Sequence, residues 1–301
     1  MIKKKSYFKN EPDHELWFEN WIKKLEKMNN RQYERLSLET SLGKTVVFGI
    51  NTTSTDLPAF VIFPGFRTTT LIWDLDNGLD SLSEHFRVYL IETNGQPNLS
   101  DGNSPSIRSL DYGKWGEEVL NALSIEKAFI AGASFGGIVC MKISIVIPDR
   151  IKAAFLLNPG CFRLVSMHPK NLYYNFLPII STTKNNIQKF LNEVVFDKPN
   201  HQLSVNGEQH LIEYLEYVLL NYRDNTEKPY YMGKQLDDIP VDTYLFQGTA
   251  DILIPYRKSE RRARKHLKHR LKLVNTVSAG HGIETHRPTL EHVCDVAKNC
   301  T

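Results

Sequence analysis

The sequence predicts an α/β fold: a mostly parallel, doubly wound sheet with a helical insertion late in the chain. Short continuous apolar runs recur at Ala59 to Phe63, Arg87 to Ile91, Lys127 to Ala131, Ala153 to Leu157, Thr243 to Phe246 and Leu271 to Val274. Such runs suit strands buried on both faces. Helical stretches lie between most of them, as in Trp115 to Leu123, Phe135 to Ile147 and Ser259 to Leu267, which is the alternation of a parallel sheet covered by helices. One interval, residues 161–239, breaks the rhythm. It has no strand-like run bounded by turns, but has helical periodicity at Ile187 to Val194 and Gln209 to Tyr222.

Before the first buried run, Leu16, Trp17, Trp21, Ile22 and Leu25 recur at helical spacing between charged residues, which predicts an N-terminal helical arm over residues 1–32. Tyr33 to Leu38 and Lys44 to Ile50 read as strands joined across Thr40-Ser41-Leu42-Gly43, an antiparallel hairpin opening the sheet. The core is then expected over 33–160 and 240–301, with 161–239 as a helical cap. The aromatics of that insertion, Tyr173, Tyr174, Phe176, Tyr214, Tyr217 and Tyr222, line a cavity or form the cap's own small core; packing is the commoner role for such spacing.

At 301 residues the chain can bury most of its unfolded surface without disulfides or a metal. Its 37 basic and 34 acidic residues leave a net charge of +3, which gives no general attraction to nucleic acid or membrane. Cys140, Cys161, Cys294 and Cys300 are scattered, without a CxxC pair or zinc-ligand spacing, and read as free thiols in a reducing compartment. The start Met1-Ile2-Lys3-Lys4-Lys5 is basic, but no apolar run follows it, so a cytoplasmic protein is expected.

The chemistry centres on Ser134 in Gly132-Ala133-Ser134-Phe135-Gly136, where an apolar strand passes directly into a helical pattern. A sharp turn brings the residues two before and two after the serine together, and glycine at both places removes the colliding side chains. The turn exposes the hydroxyl, while amides at the helix start face any negative charge formed there. Serine needs a base, and the base needs an acid to orient it. Asp251 follows a buried strand through Gly248-Thr249-Ala250, and His281 lies in Ser278-Ala279-Gly280-His281-Gly282 just past the last one. All three fall past carboxyl ends of strands, where open α/β sheets place ligands. Taken singly, Asp251 is an Asx turn or helix cap and His281 a loop histidine; together, in the order Ser, Asp, His, they read as a triad. His286 is the rival base, placed in or at the start of the final helix. An acyl-transfer site also needs oxyanion donors, and the amides of Phe135 and Phe66 occupy the places after the nucleophile and after the strand ending Phe63-Pro64-Gly65.

These residues resemble the α/β-hydrolase superfamily, in particular its capped esterase-like and lipase-like members, from about residue 58 to 293. Trp73 is similar to the family's frequent tryptophan after the oxyanion turn, and Glu92 to Ser100 stands in place of its D-x-x-G-x-G-x-S loop. Pro64 replaces a common His, and Gln96-Pro97 replaces the second Gly region. The resemblance implies a serine hydrolase acting on a carboxylic ester or related acyl compound through an acyl-enzyme, without cofactor or metal. An acyltransferase, thioesterase, amidase or C–C hydrolase on the same triad stays open, as does a non-catalytic ligand-binding protein of the same fold. The expected partner is a small-molecule substrate, not nucleic acid or membrane. The basic series between Arg257 and Arg270 reads as a solvated helix face, Arg67 as a rim residue or a selector of anionic substrates, and His168 as a surface histidine.

Overall fold

The computed structural model describes residues 4–300; Met1, Ile2 and Lys3 of the basic start, and Thr301, lie outside them. Two short strands, β1 (Lys4–Lys5) and β2 (Tyr7–Phe8), precede helix α1 (Glu11–Asn29), which ends at Asn30 in the left-handed conformation that asparagine tolerates. β3 (Glu34–Thr40) and β4 (Gly43–Ile50) form the expected antiparallel hairpin, with Gly43 at φ 93° closing the turn. The alternating part follows: β5 (Ala59–Phe63), α2 (Asp80–His85), β6 (Arg87–Ile91), β7 (Asn103–Ser104), α3 (Asp111–Ala122), β8 (Ala128–Ala133), α4 (Phe135–Val146) and β9 (Ile151–Leu157). An inserted stretch carries α5 (Pro169–Ile180), α6 (Lys184–Phe190), α7 (Val205–Asn221) and the short β10 (Tyr222–Arg223). β11 (Thr243–Gly248), α8 (Tyr256–Leu267), β12 (Leu271–Val277) and α9 (Arg287–Lys298) complete the chain.

Eight strands form one sheet in the order β12-β11-β9-β8-β5-β6-β4-β3. Every pairing from β12 to β6 is parallel, and β4 joins β6 antiparallel. The continuous apolar runs are explained by cores on both faces. Phe60, Ile62, Leu90, Phe129 and Phe155 point into one; Val61, Phe63, Ile91, Ile130 and Leu156 alternate into the other.

Four short strands differ from the expected pattern. β2 pairs with β10, and β1 with β7, so the arm is not purely helical and the insertion contains a strand. Two-residue strands carry no periodicity, which is why the sequence holds no trace of them. Through them the arm ties insertion to core: the Asn225 amide donates to Ser6 Oγ at 2.9 Å, and the Ser6 amide to Gly102 O at 2.8 Å. α1 adds aromatic packing against α7, with Trp17 stacked on Tyr217 (centroids 3.8 Å) and Trp21 on His210 (4.2 Å). Tyr214 and Tyr222 are buried, donating to Pro97 O and Gly95 O, whereas Tyr173 and Phe176 face solvent.

Candidate active site

Ser134 occupies the junction of β8 and α4 at φ 47°, ψ −106°, a left-handed conformation that a side chain adopts only under constraint. The constraint is visible in its neighbours. Its amide donates to Leu157 O at 2.9 Å, and its carbonyl accepts from Gly160 N at 2.8 Å and Gly137 N at 3.2 Å. A Cβ on Gly132 would stand 2.3 Å from the Gly136 backbone, and one on Gly136 would stand 2.4 Å from Phe63 O. Only glycine at both places lets β5, β8 and α4 approach this closely.

Asp251 lies beyond β11 with its carboxylate buried, and both oxygens are used. Oδ1 accepts from the amides of Leu253 and Ile254, each at 2.8 Å, and Oδ2 lies 2.8 Å from His281 Nδ1. The Asx turn and the contact with the His281 ring are therefore made by the same side chain. An ionised carboxylate only accepts, so Nδ1 carries the proton and Nε2 is left with its lone pair. Burial opposes charge on the ring, but the Asp251 carboxylate, by its charge and its hydrogen bond, and Glu284 beside it raise the His281 pKa above the ordinary value.

The loop bearing His281 is held from two sides. Val194 O and Val195 O of the inserted segment accept from the amides of His281 (2.9 Å) and Gly282 (3.0 Å). Asn158, just past β9, donates through Nδ2 to Gly280 O (2.9 Å) and His281 O (3.0 Å), and accepts from Gly248 N (2.8 Å). The residue preceding it, Leu157, takes the Ser134 amide. One Asn thus links the strand ends that carry Ser134, Asp251 and His281.

The structure joins Asp251 to His281 directly and sets Ser134 on the neighbouring strand end; no hydrogen bond runs from Ser134 Oγ to the ring among the described residues. The rings of Phe66 and Phe135 pack together at 5.9 Å, and their amides are not taken by any acceptor among the described residues. Arg67, at φ 61°, donates its amide to Gln96 Oε1 (2.7 Å) and its Nε to Asp224 (2.7 Å), an ion pair that holds the guanidinium. His286 caps α9 and turns Nδ1 to Thr289 Oγ1 at 2.7 Å, apart from the Asp251 carboxylate.

Two residues of this region escaped the sequence reading. Asn158 stands at φ 41° in Asn158-Pro159-Gly160, and that turn signature at a strand end was its only trace. Glu284 is half-buried three residues after His281; its Oε1 and the Cβ of Ser134 would each lie 3.9 Å from a Cβ placed on Gly65. Burial raises the Glu284 pKa, and His281 opposes that rise. No group of three or more His, Cys, Asp or Glu side chains is arranged to hold a metal among the described residues. No described helix is long and apolar enough to cross a membrane.

A family model described as the alpha/beta hydrolase fold matches residues 58–223. The uncharacterized carboxylesterase nap of Bacillus subtilis (strain 168) is 28% identical over 161 residues, 54% of this chain and 51% of that protein. Carboxylesterase YbfK of the same organism is 26% identical over 136 residues, 45% of this chain and 44% of that protein. The chain thus spans about half the length of the curated relatives it matches. The crystal structure of carboxylesterase CesB (YbfK) from Bacillus subtilis superposes with a TM-score of 0.76 at 20% identity, covering 95% of this chain and 98% of that one, a likeness of fold. The family match takes in just over half of the sequence, including the Ser134 turn, and the chain belongs to the α/β-hydrolase family.

Proposed function

We propose that the protein is a serine hydrolase that cleaves a carboxylic ester through an acyl-enzyme on Ser134. The observation that carries this reading is the 2.8 Å contact between His281 Nδ1 and the buried Asp251 carboxylate, set beside a serine on a constrained strand-to-helix turn. Ser134 Oγ attacks the ester carbonyl while His281 Nε2 takes its proton, and the oxyanion is held by the amides of Phe66 and Phe135. Collapse expels the alcohol, which receives that proton from His281. Water then attacks the acyl-enzyme with His281 again as base, releasing the acid and restoring the serine.

The carboxylesterase relatives support ester chemistry as the first activity to assay. The insertion acts as a cap whose Val194 and Val195 carbonyls hold the His281 loop. The four cysteines are unpaired, which supports a cytoplasmic location. Hydrolysis of short nitrophenyl esters tests the reading: Ser134→Ala and His281→Ala each lower kcat at least about a thousandfold with folding intact. Wild-type rates in Ser134→Ala would overturn it.

A further inference from the structure

Seven of the twelve exposed large apolar side chains among the described residues fall in the seventeen residues from Leu164 to Ile180. On α5, Tyr173, Phe176 and Ile180 share the face opposite the buried Asn171 and Pro178. Met167 and Ile180 are 75% and 82% exposed. Scattered exposed hydrophobics are ordinary, whereas a contiguous group rimmed by polar residues marks an interaction surface.

Cations predominate in this stretch of the chain and in the helix fastened to it. Residues 161–192 include Arg163, Lys170, Lys184 and Lys189, with no Asp or Glu. Lys170 and Lys184 are engaged by Glu193 and Glu216, so the stronger field comes from α8. The chain before α5 is fastened to that helix: the Ser166 amide donates to Leu253 O (2.8 Å), Arg163 to Pro255 O (3.2 Å) and Arg262 to Phe162 O (3.0 Å). From Arg257 to Lys272 there are nine Lys or Arg and one acid, Glu260, which is paired with Arg264; beyond the end of α8, Arg270 and Lys272 are engaged by Asp242. Arg257, Lys258, Arg261 and Lys265 are exposed.

We propose that this face docks on an anionic phospholipid bilayer, with the apolar side chains of 164–180 entering the headgroup boundary and α8 meeting the lipid phosphates. Apolar burial and cation attraction act together at such a surface. A nucleic acid would engage the cations and leave the apolar side chains wet. A second copy paired symmetrically through this face would bring two cationic α8 helices together. The near-neutral total of the chain is an average over cations that are concentrated in this series, which the sequence read as a solvated helix face. The association is peripheral and does not depend on the ester chemistry.

The test floats the full chain with vesicles of phosphatidylcholine containing about 30% phosphatidylglycerol, and with phosphatidylcholine alone. The protein floats with the anionic vesicles and is released by raising salt from about 0.05 to 0.5 M. The pair Lys258→Gln with Arg261→Gln weakens partitioning roughly thirtyfold. The pair Met167→Ser with Ile180→Ser weakens it about tenfold. Both double variants melt cooperatively at the wild-type temperature, which separates lost docking from lost folding. Three results overturn the proposal: no flotation with anionic vesicles, unchanged flotation in both double variants, or binding of duplex DNA or self-association in place of vesicle binding.

Discussion

Asn158 Nδ2 donates to the main-chain carbonyl of His281 at 3.0 Å, so the proposed base is positioned by a side chain just past β9, a strand end that supplies none of the three proposed catalytic residues. The same amide group serves Gly280 O, and its oxygen takes the buried Gly248 N. Asn158→Ala leaves these groups without partners in a water-poor setting. The expected cost is about 2–4 kcal/mol in urea unfolding, with kcat on nitrophenyl esters reduced roughly tenfold to a hundredfold as the His281 loop loosens. Asn158→Asp keeps an acceptor for Gly248 N but lacks the donor, and recovers stability only in part.

The pH profile carries a definite sign. A histidine takes a proton only when neutral, and the pKa of His281, the proposed base, stands above 6.5 because Asp251, with Glu284, outweighs the effect of burial. The rate therefore falls on acidification with a midpoint above pH 6.5. Asp251→Asn removes the main raising influence and leaves burial, so the midpoint moves to lower pH while kcat falls about ten-thousandfold through loss of the productive tautomer. Glu284→Gln moves the midpoint the same way by less, with kcat at pH 8 largely kept. Rate profiles from pH 5 to 9 on the three proteins check the order.

Glu92 gives stability its own pH dependence. Its Oε1 accepts from Thr69 Oγ1 (2.6 Å) and Thr70 N (3.0 Å), while Oε2 has no partner among the described residues. Burial pushes this carboxyl from the ordinary 4.5 up to about 7. The folded state holds the proton more tightly than the unfolded chain, so the contribution is full below pH 4.5 and is lost as pH rises through 7. The loss is about 3 kcal/mol. Chemical denaturation at pH 5 and pH 8 reads it directly, and Glu92→Gln flattens the difference.

Crowding at the serine turn separates two glycines. A Cβ on Gly136 meets the carbonyl oxygens of Phe63 and Pro64 at 2.4 and 2.8 Å, whereas one on Gly233, at φ 61°, meets nothing within 4 Å. Gly136→Ala costs about 3 kcal/mol or more and displaces the Phe66 turn, lowering activity as well. Gly233→Ala costs only its backbone strain, about 1 kcal/mol, and leaves turnover unchanged. Thermal melts and initial rates distinguish the pair.

The sheet was legible because strands buried on both faces must be apolar throughout, as Ala59–Phe63 and Ala128–Ala133 are. The Ser134 turn was legible because two glycines two residues either side of a serine have a steric reason to exist. The placement of Asp251 and His281 past strand ends was legible, since each follows a recognisable strand, and the structure adds their 2.8 Å contact. Asn158 and Glu284 were not, because their roles arise from distant contacts and neither residue type signals them. The pairings of β1 and β2 were hidden by length; the cationic series of α8 was visible in the sequence, but its fastening to the segment before α5 was not, because that contact arises only in the fold.

The most direct test of the central claim is covalent labelling of the native chain with a fluorophosphonate, followed by peptide mass spectrometry. The account predicts one adduct, on Ser134, absent in Ser134→Ala and strongly slowed in His281→Ala. A native wild-type protein that gains no adduct on Ser134, or gains one at another residue at the same rate in Ser134→Ala, would contradict it.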